Sequence, residues 1–161
     1  PDGNGDSTMT VVVTVRDGAG APVAGVPAGG VVVTLAGISL NGRSMKFCAS
    51  GTSQLVLESA QPTNGSGEAV FEVTEVGGCA DVTATAVVQG IPLTGSDVAT
   101  VRSPDLTGDG RTNFQDTILY ARMLNAATGY CGNLNGSPDG AVNFQDTVKY
   151  AQALAAAAAC P

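Results

Sequence analysis

The chain has 161 residues, 43% of them hydrophobic and 13% charged, which is enough apolar material for one ordinary domain or two small ones. Its net charge of -7 argues against nucleic acid and anionic membrane surfaces, because both need a basic footprint. His and Trp are absent, which excludes Ser-His-Asp and Cys-His catalysis, His-ligated zinc and an imidazole switch, and the first hundred residues hold only Phe47 and Phe71 as aromatics.

Residues 1–8 form a polar extension. Asp2-Gly3-Asn4-Gly5-Asp6 copies the first half of a calcium loop and lacks the second half. A flexible terminus is the plain expectation; Asp2, Asn4 and Asp6 as part of a ligand set shared with another chain is the sharper one. The chain begins at Pro1 with no charged-then-apolar leader, so it reads as a mature product or a piece whose targeting segment is gone. No run of about eighteen apolar residues is present, and no membrane insertion is expected.

Residues 9–102 are rich in Val, Thr, Gly and Ala. Strands are predicted at Met9 to Val15, Gly30 to Leu35, Gln54 to Glu58, Ala69 to Thr74, Ala80 to Val88 and Asp97 to Val101, separated by turn signals such as Asn41-Gly42 and Asn64-Gly65-Ser66-Gly67. About seven short strands without helical periodicity predict a β-sandwich. Within it, Glu68, Val70, Glu72 and Thr74 should share a solvated face while Ala69, Phe71 and Val73 face the core. The scattered acids of this half thus read as sheet surface rather than as a glycosidase carboxylate pair. Asn64-Gly65-Ser66 and Asn135-Gly136-Ser137 fit the glycosylation sequon, and both read better as turns.

Val13-Thr14-Val15-Arg16-Asp17-Gly18-Ala19-Gly20-Ala21-Pro22-Val23-Ala24-Gly25-Val26-Pro27 resembles the opening of bacterial immunoglobulin-like domains of the invasin and intimin type. Thr63 to Phe71 and Ala80 to Ala86 add to that resemblance. It implies a spacer or display module in a prokaryotic protein and brings no catalytic residue.

Residues 103–161 contain a duplication. Asp105 to Ala121 and Asn135 to Ala151 share Asp-Gly-x-x-Asn-Phe-Gln-Asp-Thr-x-x-Tyr-Ala at an offset of thirty. Each copy places oxygen-bearing residues at the first, third, fifth, ninth and twelfth positions of a loop, with Gly at the sixth, where the chain must turn sharply. That is the EF-hand calcium pattern, suited to a hard ion that takes six to eight oxygens. The first set is Asp105, Thr107, Asp109, the Arg111 carbonyl, Asn113 and Asp116. The second is Asn135, Ser137, Asp139, the Ala141 carbonyl, Asn143 and Asp146. A register starting at Asn133 with a two-residue insertion is the alternative, and the thirty-residue offset argues against it. The plainer reading is a pair of Asn/Asp-Gly turns capping helices. In the helices that follow, Ile118, Ala121 and Leu124, and Val148, Ala151 and Leu154, are predicted as the apolar stripes, with Ala155 to Ala159 extending the second helix.

This arrangement resembles type I dockerin domains. The resemblance implies a small all-α calcium-dependent fold with two Ca²⁺ sites that docks onto a cohesin-like domain. Phe114-Gln115 and Phe144-Gln145 stand where such domains often carry small hydroxyl residues that choose the partner, so they become candidate partner contacts, with burial as core the other reading.

The four cysteines form no CxxC pair. Of three possible pairings, Cys48–Cys79 with Cys131–Cys160 keeps each bridge inside one half; free buried thiols are the other reading, and bridges imply a secreted, extracellular or cell-surface location. The sum is a non-catalytic calcium-binding structural protein that assembles with copies of itself, or the anchoring end of an extracellular enzyme or adhesin held by a cohesin-like partner.

Overall fold

The computed structural model describes residues 9–74, 76–126, 130–135 and 141–156. The strands among them are β1 (Met9–Thr14), β2 (Val31–Ser39), β3 (Lys46–Phe47), β4 (Gln54–Glu58), β5 (Glu68–Val73), β6 (Val76–Gly77), β7 (Cys79–Val88), β8 (Ile91–Pro92) and β9 (Asp97–Arg102). Helix α1 (Phe114–Ala126), a single 3-10 turn (Tyr130–Gly132) and α2 (Phe144–Ala155) follow. The chain is mainly β. The six longer strands lie where alternating Val and Thr predict them; β3, β6 and β8 have two residues each, too few for alternation to show. Among the described residues no helix is long and apolar enough to cross a membrane.

The larger sheet runs β4-β2-β7-β9, all antiparallel, with β8 beside β9 on the same edge of β7. A second sheet is the antiparallel pair β1-β5, and β3-β6 closes one end. The register puts Leu35 opposite Leu55 on one side and Ala84 on the other, and Val11 opposite Phe71. Residues opposite one another share a face, so two apolar faces result. They close on a single core that includes Val13, Val33, Leu35, Phe71 and Val82. In β5, Ala69, Phe71 and Val73 are buried and Val70 and Glu72 exposed, as the alternation predicts. The β1-β5 pair is narrower than the sheet it covers. Beside β1 a groove of about 390 Å³ stays open, walled by Met9, Val11, Ala84, Ala86, Leu93 and Asp97.

Past β9 the chain stays seated on the sandwich. Ser103 N–H donates to Gly78 O at 3.0 Å, and Gly78 N–H donates to Asp105 O at 2.7 Å. Asn41 Nδ2 donates to Leu106 O at 2.9 Å and Arg102 Nη1 to Asn133 O at 3.1 Å. Gly108, at φ +69°, packs so closely on the Ser44 carbonyl that any side chain there would collide. Only glycine meets both demands, a left-handed φ and a bare α-carbon.

Two expectations need correction here. The Cys48–Cys79 and Cys131–Cys160 pairing does not form: Cys79 bonds Cys131, across 52 residues. Cys48 is itself disulfide-bonded, and Cys160 lies outside the described residues. Pairing within each half presumes two separate modules. Here the start of β7 and the 3-10 turn share a second core of Cys79, Leu106, Tyr120, Cys131, Leu134, Val142 and Tyr150, which brings their cysteines together.

The helical stripes also differ. Ile118, Leu124, Val148 and Leu154 are about two-fifths exposed, and the buried positions are Asp116 and Tyr120 in α1, and Asp146, Tyr150 and Ala153 in α2. Apolar periodicity selected the wrong face because each helix buries a carboxylate and a tyrosine. Helix α2 ends at Ala155, with the Ala156 N–H donating to Gln152 O at 3.0 Å; Ala157 onward lies outside the described residues.

Candidate calcium loops

The two loop–helix units meet across a tyrosine pair. The Tyr120 and Tyr150 rings stack at 4.5 Å with a 2° interplanar angle. The Tyr120 hydroxyl lies 3.1 Å from Thr147 Oγ1, and the Tyr150 hydroxyl lies 2.9 Å from Thr117 Oγ1. Each unit therefore offers the other the same tyrosine and the same threonine. Burial, chiefly, raises both phenol pKa values. The repeat contains both residue types at matching positions, a signal that apolar stripes overlooked. In chemical denaturation, Tyr150→Phe should cost about 1–2 kcal/mol for the bonds its hydroxyl makes with Thr117 and the Asn113 carbonyl, and Tyr150→Ala about 3–5 kcal/mol for the emptied core. Equal losses would mean that the ring contributes nothing.

In the first loop, Asp105 is buried and its carboxylate gathers the turn. Oδ1 accepts from Gly108 N–H at 2.8 Å, Asp109 N–H at 3.2 Å and Thr107 Oγ1 at 3.1 Å, and Oδ2 accepts from Gly110 N–H at 2.7 Å. Asp116, fully buried in the first turn of α1, accepts from Thr107 N–H and Asn113 N–H, each at 2.8 Å. Asp109 accepts from Arg111 N–H at 2.9 Å and from Asn113 Nδ2 at 3.2 Å, while Asn113 Oδ1 accepts from Gln115 N–H at 2.8 Å and starts the helix. Lys46 Nζ, from the sandwich, donates to the Asp109 carbonyl at 3.1 Å.

The second loop repeats this wiring. Asn135 N–H donates to Asp146 Oδ1 at 2.9 Å, Asn143 N–H donates to Asp146 Oδ2 at 2.8 Å, and Asn143 Oδ1 accepts from Gln145 N–H at 2.8 Å. Asn143 and Asp146 complete a capping box on α2. The bonds to Asp116 and Asp146 make Asn135 the counterpart of Thr107, not of Asp105. One step earlier, Leu134 matches Leu106, both fully buried, and buried Asn133 matches Asp105. The expected register, with Asn135 at the first place, is thus corrected: Asn133 stands where Asp105 does and Asn135 where Thr107 does. The thirty-residue offset belongs to the helices, and the two extra residues fall between Asn135 and Asn143. Ser137 and Asp139 lie outside the described residues, as do Asp2, Asn4 and Asp6. Ala141 and Asn143 directly precede α2.

Among the described residues, no three acidic, His or Cys side chains converge as a ready-made metal cluster. The donor chemistry nevertheless fits Ca²⁺, which also takes hydroxyls, amides and backbone carbonyls. Burial first, and then the charge of Asp116, raise the Asp105 pKa, against the hydrogen bonds from Gly110, Thr107 and Gly108, which lower it. A carboxylate has about four acceptor sites, and Asp116 uses two of them in the bonds above, so lone pairs remain for a cation. Bound there, Ca²⁺ would neutralise two buried acids that now rest on backbone amides.

Phe114 and Phe144, the first residues of the two helices, are 73% and 78% exposed. The core reading of these rings is set aside. Gln115 and Gln145 stand beside them, also exposed, with Gln145 Oε1 accepting from Asn135 Nδ2 at 3.1 Å. No protein-family model, curated protein or solved structure matches this chain.

Proposed function

We propose that the chain is a non-catalytic, calcium-binding assembly protein that works outside the cytoplasm. An Ig-like sandwich serves as building block, and a dockerin-like loop–helix pair serves as the element that holds a neighbouring copy. The supporting observation is the bare exposure of Phe114 and Phe144 at matching helix starts, each behind a loop organised on a buried Asp. Large aromatics left in water mark contact surfaces more readily than isolated aliphatics do. Among the described residues β1 pairs only with β5, and its other, uncharged edge, with the groove beside it, adds a place for strand addition. A head-to-tail contact of this kind extends into a filament unless its rotation closes a ring.

Light scattering at rising protein concentration in millimolar calcium tests the proposal. Growth of assemblies, lost on combining Phe114→Asp with Phe144→Asp, is the expected result. The same two rings also suit the anchoring reading, in which a cohesin-like domain is the partner. That reading predicts a monomer at every concentration and capture only when such a domain is added.

A further inference from the structure

Gly77, in β6, is a glycine whose backbone does not require one: its φ lies outside the left-handed region that Gly78 and Gly108 occupy. A neighbour imposes the requirement instead. A β-carbon on Gly77 would run into Oδ2 of Asp105, with Asp105 Cγ at 3.4 Å and the Gly108 α-carbon at 3.7 Å behind it. The space of a methyl group on the sandwich is thus taken by an oxygen of a buried carboxylate.

That oxygen is the one with accepting capacity left. A carboxylate has about four acceptor sites, two on each oxygen. Asp105 Oδ1 takes three donors, from Thr107, Gly108 and Asp109, whereas among the described residues Oδ2 takes the Gly110 N–H alone. The same end of the sandwich holds the loop at two further points. Gly78 N–H donates to the Asp105 carbonyl at 2.7 Å. Lys46, opposite Gly77 in the β3-β6 ladder, donates to the Asp109 carbonyl at 3.1 Å.

We infer that Gly77 is a positioning residue for calcium in the first loop, an inference that rests on the calcium reading above. Its bare α-carbon lets β6 seat the Asp105 carboxylate, so that Oδ2 is held in one orientation toward an ion. A ligand fixed before binding loses less freedom when it binds. The groups that orient metal ligands matter to affinity nearly as much as the ligands themselves. The first site is therefore shared between sandwich and loop, and its occupancy acts on the β3-β6 end. In the second loop an amide, Asn133, stands in the place of Asp105, so a change at Gly77 separates the two sites.

Calorimetric titration of the full chain with calcium tests this. Gly77→Ala should weaken the first site about tenfold to a hundredfold, while Gly65→Ala, where a β-carbon meets nothing, should leave it unchanged. Terbium, used as a luminescent stand-in for calcium, supplies a readout that mere damage to the fold would not move. Its emission lifetimes in light and heavy water count the waters on the ion, and Gly77→Ala should add about one per chain where Oδ2 is displaced. Hydrogen exchange on the parent needs no variant: calcium should slow exchange of the Gly78 amide, and an unchanged rate there overturns the inference even if Gly77→Ala fails to fold. Unaltered affinity in Gly77→Ala, or a lower affinity with the same water count, overturns it too, and the calcium reading stands. If the parent binds no calcium, both fall.

Discussion

Digestion without reduction should yield one cross-linked species joining the peptides of Cys79 and Cys131. The two residues are 0% and 6% exposed within the core that joins the first strand residue of β7 to the 3-10 turn, so the bond fastens the loop–helix units to the sandwich. Closing a loop of 52 residues should stabilise the fold by about 4 kcal/mol on the chain-entropy estimate. The double change Cys79→Ala with Cys131→Ala should therefore lose about that much in chemical denaturation, and the helical part should become the first target of proteolysis. Recovery of a Cys48–Cys79 peptide would show the pairing to be wrong. A variant as stable as the parent would show that the buried contacts around Leu106 and Leu134 suffice without the bond.

The sequence carried the long strands because Val and Thr alternation is a local signal, and β5 shows it cleanly in the burial of Ala69, Phe71 and Val73. The duplication was equally legible, since both copies share the Asp-Gly turn and the Asn-Phe-Gln-Asp-Thr start of the helix. What local sequence does not carry is set by contacts between distant parts of the chain. The pairing of Cys79 with Cys131 depends on Gly78 bonding Asp105 and on Gly108 lying on Ser44. The helical stripes differ from the apolar periodicity because polar Asp116 and Asp146 take core positions, which hydropathy assigns to Ile118 and Val148. The second loop's register was obscured because two extra residues shift only its first half, and a constant offset through the helices masks the change. The tyrosine stack lay in plain view in the repeat, yet nothing local distinguishes a stacked pair from two surface tyrosines.

Adding chelator to the calcium-loaded protein should lower the helical dichroism and the melting temperature together. Asp105 and Asp116 are buried acids held by backbone amides; with the ion bound, its charge offsets their repulsion, and without it the amides alone must do so. A ligand that binds only the folded chain, present at a thousand times its dissociation constant, adds about 4 kcal/mol. At this chain length such a loss lowers the melting temperature by roughly 10 °C. Loosening should start in α1 and α2 and reach the β3-β6 end of the sandwich, because Asp105 O accepts from Gly78 N–H and Lys46 reaches the Asp109 carbonyl. The Cys79–Cys131 bond should keep the loosened part attached and make the change reversible on restoring calcium. Asp116→Ala should abolish the calcium response of the first loop, whereas Asn135→Ala, at a third-place amide, should reduce that of the second only partly. Calorimetric titration of both variants separates the two sites. A melting curve that ignores both calcium and chelator would identify Asp105, Asp116 and Asp146 as turn and helix caps, and the loops as structural alone.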